Sequence, residues 1–258
     1  MSRQCIFCHA SVAEDPSEEH VIPRWLLNHL GVSTQDQFFQ GVVETATNEL
    51  TDKRIHSTHR FVEGRVCGAC NNGWMSRLEE SAKPTLIELI ENHRGVWEID
   101  DEKASVVAKW AVKTAYVLAN VSKGNKPVPP GHIACLNGDT GLVPDAVGVF
   151  GFQFSYDRQN SYFQTGRWPQ VIREGASPAA PESPPEAYKI ALQYRHLHLL
   201  VAYWPYQPSQ FVVAAGVHVP IWPRTPFVRP AYVASPGPLN DSVSVLRGFA
   251  ESLGVLSM

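Results

Sequence analysis

Three short stretches of the 258-residue chain carry residue types that do chemistry, at recognisable spacing. Cys5-Ile6-Phe7-Cys8 and Cys67-Gly68-Ala69-Cys70 are two Cys-x-x-Cys units, and Ser17-Glu18-Glu19-His20 lies between them. A Cys-x-x-Cys turn offers two sulfurs to one ion. Two such turns complete the tetrahedral thiolate set of a closed zinc site. All but one of the cysteines fall in these units, and this usage favours metal over chance or a disulfide. Cys5, Cys8, Cys67 and Cys70 are therefore expected to hold a structural Zn2+ ion. The remaining cysteine, Cys135, reads as a small buried hydrophobe.

A thiolate zinc site alone specifies folding, not catalysis. Glu19, His20 and Asn71 add the second part of the reading. The Glu19 carboxylate and the Asn71 side-chain carbonyl are hard oxygen donors, which suit Mg2+ or Mn2+. Glu18 is the alternative carboxylate. An imidazole at His20 titrates near neutral pH and can take a proton from an attacking water. Asn71 directly follows Cys70, and Glu19-His20 lies shortly after the first cysteine pair, so zinc would tether all three.

These residues resemble the HNH endonucleases in their zinc-bearing branch. The resemblance rests on the order Cys-x-x-Cys, acidic-His-x-x-Pro, Cys-x-x-Cys-Asn and covers roughly the first third of the chain. It implies a ββα-metal core in which Cys5, Cys8, Cys67 and Cys70 bind zinc. It further implies that Glu19 and Asn71 hold a catalytic divalent ion and that His20 is the general base. The final Asn in place of His resembles phage junction-resolving endonucleases. Two departures accompany the match. Glu19 stands where the family usually has Asp, and Phe61 to Val66 offers no match to the middle Asn that orients the histidine in the family.

The expected reaction is phosphodiester hydrolysis, with nucleic acid as partner, DNA before RNA, and Arg77, Arg24 and Arg65 as phosphate contacts. Arg77 reads equally well as a solvated charge or a partner of Glu80. The second reading is a non-catalytic zinc module that binds nucleic acid or a protein; a third makes the C-terminal half a small-ligand sensor. His56 and His59 read as surface-loop residues, His196 and His198 as structural ones, and Trp74 and Met75 as core packing. Tyr156, Tyr162, Trp168, Tyr194 and Tyr203 interleave with Arg158, Arg167, Arg173, Lys189 and Arg195; an ordinary sheet with one wet side explains this better than a single-strand binding face.

The elements that must position these residues follow from periodicity. Pro23 to Gly31 suits a short helix, with proline in the first turn and glycine at the stop. Phe38, Phe39, Val42 and Val43 suit a strand, and the rest of residues 32–60 reads as polar loop. Phe61 to Val66 leads as a strand into the second cysteine pair. A helix capped by Asn71 or Asn72 is expected next, with Pro84 as a break or as the start of a further helix bearing Leu86, Ile87, Leu89 and Ile90. Asp100-Asp101 caps a longer helix with the stripe Val106, Val107, Trp110, Ala111, Thr114, Val117, Leu118 and Val121, ending near Lys123-Gly124. The period then changes to two at Phe150, Phe152, Phe154, Tyr156 and at Tyr188, Ile190, Leu192, Tyr194. Phe211 to Ala215 is a further strand candidate, Gly175 to Glu186 a loop, and Ser242 to Leu253 a helix. The expected class is α+β. Residues 1–82 form an HNH-like zinc domain, 83–125 a helical middle, and 130–258 an antiparallel β-rich domain.

Hydrophobic content of 44% and charged content of 18% fit a globular chain. Residues 1–100 carry 9 Lys and Arg against 15 Asp and Glu, the remainder 13 against 10. That balance argues against tight, non-specific duplex binding. No apolar run approaches a membrane span, and the N-terminus lacks the apolar stretch of a secretory leader, so the expected location is the cytoplasm, with no membrane partner.

Overall fold

The computed structural model describes residues 3–43, 50–122, 128–154, 160–165, 170–172, 186–205, 210–212, 219–223 and 253–257. The chain divides into two compact units, Met1–Asn71 and Asn72–Met258. The division comes before residue 82, the boundary expected from the sequence, and the helix that follows it packs within the second unit.

The first unit opens on a knuckle. Gln4 bridges to Ser11, and the Cys5 N–H donates to the Ala10 carbonyl at 2.8 Å. His9 closes the turn in the left-handed region at φ 62°, which a non-glycine residue adopts only where the turn demands it. The unit continues through β1 (Pro16–His20), α1 (Arg24–His29), β2 (Gln37–Val43), β3 (Leu50–Ser57), a 3-10 turn at Thr58–Arg60, β4 (Val62–Cys67) and the short turn α2 (Gly68–Cys70). β1 and β4 pair antiparallel, Pro16 opposite Cys67 and His20 opposite Val62, with a bulge between Ser17 and Glu19. Gly31 ends the α1 turn at φ 69°, as its type suggests. The stretch read as polar loop holds β3, paired antiparallel with β2. Thr51, Ile55 and Thr58 supply β-branched residues there, but so many charges dilute the period-two signal.

A wide turn over Asn71–Met75, broken at Gly73, leads to α3 (Ser76–Ile90). Pro84 lies inside α3 rather than at a break. Burial of Leu78, Ala82, Leu86, Leu89 and Ile90 outweighs a proline cost of about 3 kcal/mol. α4 (Asp101–Val121) starts at Asp100, whose Oδ1 accepts from the Lys103 N–H at 2.8 Å. It is buried all round from Trp110 to Ala119, not on one stripe, because α3 and the main sheet both pack against it. Lys113 is 0% exposed there and pairs with Glu79 at 2.7 Å. α5 (Pro130–Cys135) leaves Cys135 exposed, against the expectation of a buried thiol. A six-residue helix buries one side, and Ile133 takes it.

The strands that follow are β5 (Val147–Gln153), β6 (Ser161–Thr165), β7 (Gln170–Ile172), β8 (Tyr188–Tyr194), β9 (Leu197–Tyr203), β10 (Gln210–Val212), β11 (Val219–Trp222) and β12 (Gly254–Ser257). Five of them form an antiparallel sheet in the order β11-β5-β9-β8-β6; the other three order as β10-β12-β7, with β12 parallel to β7. Tyr188 and Tyr194 meet Tyr116 and Trp110 of α4. The other face gathers Phe150, Ala191, Leu200, Ala202, Trp204 and Leu253. β8 is thus buried on both sides, and no wet face remains along it. The expected loop over residues 175–185, the expected helix over 242–252, Tyr156, Trp168, Arg158, Arg167 and Arg173 lie outside the described residues. Among the described residues no helix is long and apolar enough to cross a membrane.

One buried polar side chain ties these layers. The Gln153 amide donates to the carbonyls of Leu89 and Arg94, both at 2.8 Å, and accepts from the Val96 N–H at 2.9 Å. Gln153→Leu keeps the volume but strands the Arg94 carbonyl and the Val96 N–H, while the Leu89 carbonyl keeps the Asn92 N–H at 3.2 Å. It should destabilise the second unit by about 2–4 kcal/mol, read from the midpoint of a denaturant melt.

Candidate metal centre and its neighbours

The two Cys-x-x-Cys turns meet. The sulfurs of Cys5, Cys8, Cys67 and Cys70 all lie within 4.8 Å of one another, and Cys8 Sγ stands 3.5 Å from Cys67 Sγ. A tetrahedral zinc with Zn–S bonds of about 2.3 Å places its sulfurs about 3.8 Å apart, whereas a disulfide needs about 2.05 Å. The four sulfurs therefore fit a zinc ion. Three of the residues are buried and Cys8 is half-buried.

Electrostatics support the fit. Burial alone would raise the Cys5 thiol, but backbone N–H groups of Cys8, Cys67 and Phe7 directed at its sulfur carry it below the ordinary thiol range. Burial pushes Cys67 up, and so do the sulfurs of Cys8 and Cys5. Four thiolates this close repel one another, and a divalent cation removes the conflict.

β1 and β4 bring the two cysteine pairs together, and Asp15 fastens the second. Its carbonyl accepts from the Gly68 N–H at 3.0 Å, and its carboxylate accepts from the Ala69 N–H at 2.6 Å. This carboxylate caps α2; the helix that Asn71 or Asn72 is expected to cap is α3, which follows Met75 and has no side-chain cap. A Cβ on Gly68 would collide with the Asp15 carboxylate. Gly68→Ala should therefore lose the cap and destabilise the first unit by about 1–2 kcal/mol, visible as an earlier melt of that unit, and Asp15→Ala should cost a similar amount.

Glu19, His20 and Asn71 belong to this same unit. Glu19 is 5% exposed while Glu18 is exposed, so Glu19 is the inward carboxylate of the pair. The β1–β4 register sets Glu19 opposite Glu63, a second buried carboxylate. Asn71 donates its amide N–H to Ser17 Oγ at 2.7 Å and to the Glu18 carbonyl at 3.2 Å. That hold ties the nitrogen to β1 and leaves the amide oxygen, the hard donor, for other use.

His20 ends β1, half-buried. Burial first, and the Arg24 charge second, push its ring below the usual imidazole range, while a backbone hydrogen bond at His59 and the Glu18 charge pull upward. Arg24 Nε donates to His20 Nε2 at 3.2 Å, so Nε2 is the accepting nitrogen and the neutral ring carries its proton on Nδ1. The His59 side chain itself bonds toward the Val32 carbonyl at 3.3 Å.

The three arginines differ. Arg24 is exposed at the start of α1. Arg65 donates from its backbone N–H, at 2.8 Å, and from Nε, at 3.4 Å, to Glu63 Oε1. Arg77 lies on α3 in the other unit, forked on Asp139 at 2.7 and 3.0 Å, not on Glu80. Asp15, Ser17, Glu63 and the backbone of His59 went unnoticed in the sequence. Their partners stand far along the chain or opposite in a strand pair, so no local spacing marks them.

Compared with protein-family models, with curated proteins and with solved structures, the chain matches none.

Proposed function

We propose that the first unit is a metal-dependent endonuclease of the HNH type, hydrolysing phosphodiester bonds in nucleic acid, DNA first. The observation that supports this reading is the hold of β1 on the Asn71 side chain, at Ser17 Oγ and the Glu18 carbonyl, which ties that amide to the strand carrying Glu19 and His20. An antiparallel strand pair, β1 with β4, followed directly by a helical turn bearing that Asn, is also the order the HNH resemblance implies.

In this reading Cys5, Cys8, Cys67 and Cys70 hold zinc and fix the frame. Glu19 and Asn71 would hold a Mg2+ or Mn2+ ion, which when bound supplies charge stabilisation to the phosphoryl group and the leaving oxygen. His20 takes a proton from water at Nε2. The water oxygen then bonds to phosphorus as the bond to the leaving oxygen breaks, and the lowered imidazole pKa keeps His20 in the accepting form at neutral pH. His59 supplies through its backbone the orientation that the family draws from its middle Asn. Arg24 and Arg65 offer positive charge to the phosphate.

The near-complete burial of Glu19 favours the second reading, a non-catalytic zinc module. The test is cleavage of supercoiled plasmid, linear duplex and single-stranded RNA by zinc-loaded protein, with and without added Mg2+ or Mn2+. Cleavage that requires the added ion is expected. No cleavage of any of the three under any condition would leave the zinc module as the reading.

A further inference from the structure

Resting on the nuclease reading, we propose that Arg24 is a phosphate-displaceable cap on the His20 lone pair, so that seating a phosphodiester and freeing the base become one event. The lone pair a general base needs is on Nε2, and that atom is the one Arg24 Nε–H occupies at 3.2 Å. With Nε2 accepting, a neutral imidazole carries its proton on Nδ1, so the ring has no second lone pair to offer.

The scaffold makes this contact adjustable at one end only. Pro23 starts α1, Leu26 and Leu27 anchor it in the core, and the Val21 N–H is bonded to the Phe61 carbonyl at 3.0 Å. The Arg24 backbone is therefore fixed four residues from His20, while its guanidinium is exposed. Among the described residues no carboxylate pairs with it.

The exchange runs downhill. A guanidinium bonded through one N–H to a neutral imidazole makes a weaker contact than the same fork bonded twice to a phosphate anion. A phosphodiester drawn toward Arg24 thus takes the guanidinium from Nε2, and a water molecule can take its place at the lone pair. In the absence of phosphate the base stays covered, which guards against idle proton transfer.

The test reads His20 rather than cleavage. Zinc-loaded protein is treated with diethyl pyrocarbonate, which acylates an available imidazole nitrogen, and the peptide bearing His20 is quantified by mass spectrometry. Without phosphate, Arg24→Ala should be acylated at His20 about five-fold faster than wild type, the population factor of one modest hydrogen bond. Millimolar inorganic phosphate should raise the wild-type rate toward that of the variant and leave the variant unchanged. Equal rates for the two proteins without phosphate would overturn the cap, as would a phosphate effect of the same size on both. The phosphate titration of wild type stands without the variant: no acceleration there sinks the proposal too. An inactive nuclease that still shows the phosphate-dependent exposure would count against the hydrolase reading and not against the cap, so the two failures are distinguishable.

Discussion

His20→Ala should lower metal-dependent cleavage by about 10²–10⁴-fold, the range that removal of a positioned general base ordinarily costs. The loss should fall on kcat, because the imidazole acts as water attacks and contributes little to holding nucleic acid. Folding should survive. His20 ends β1, half-buried, and its ring contacts are the exposed Arg24 side chain and the His59 backbone. A change there belongs to the class worth about 0.5 kcal/mol or less. The measurement pairs initial cleavage rates with a thermal melt of both proteins. Equal cleavage by His20→Ala and wild type would remove His20 as base and, with it, the mechanism.

Cys70→Ser should do the reverse and unfold residues Met1–Asn71. Structural zinc in small domains supplies about 10–16 kcal/mol at neutral pH. Among the described residues of this unit the buried apolar side chains are chiefly Phe7, Val12, Val21, Leu26, Leu27, Phe61 and Val66. A domain of this size lies where hydrophobic burial alone is marginal. The second unit has its own core around α4 and the five-stranded sheet and should persist. Hydrogen exchange resolves the two. Amide protection should vanish along β1 and β4 but remain along α4, β8 and β9, with zinc content falling in parallel. Chelation of the wild-type protein should reproduce the pattern. Retained protection at β1 and β4 in a zinc-free variant would show that the sulfurs do not carry the unit.

The two outcomes test a division of labour, in which sulfur holds the frame while oxygen and nitrogen work on the substrate. A Cys70→Ser protein that melts like wild type, beside a His20→Ala protein that unfolds, would invert it.

Much of the frame was legible in the residues themselves. The cysteine spacing announced a four-sulfur centre, Gly31 the end of α1, and Asp100 the start of α4, because each is decided within a few residues of chain by turn geometry or by one capped N–H. Other features needed the folded molecule. Pro84 sits within a helix because burial on both sides of it outweighs the local penalty, and Cys135 is exposed because a short helix has only one face to bury. The cap on the second cysteine turn comes from Asp15, and the hold on Asn71 comes from Ser17, 54 residues away in each case. Such bonds have no signature in spacing. They exist only once β1 has paired with β4, and that pairing is set by long-range burial and backbone hydrogen bonding rather than by the preferences of any single stretch.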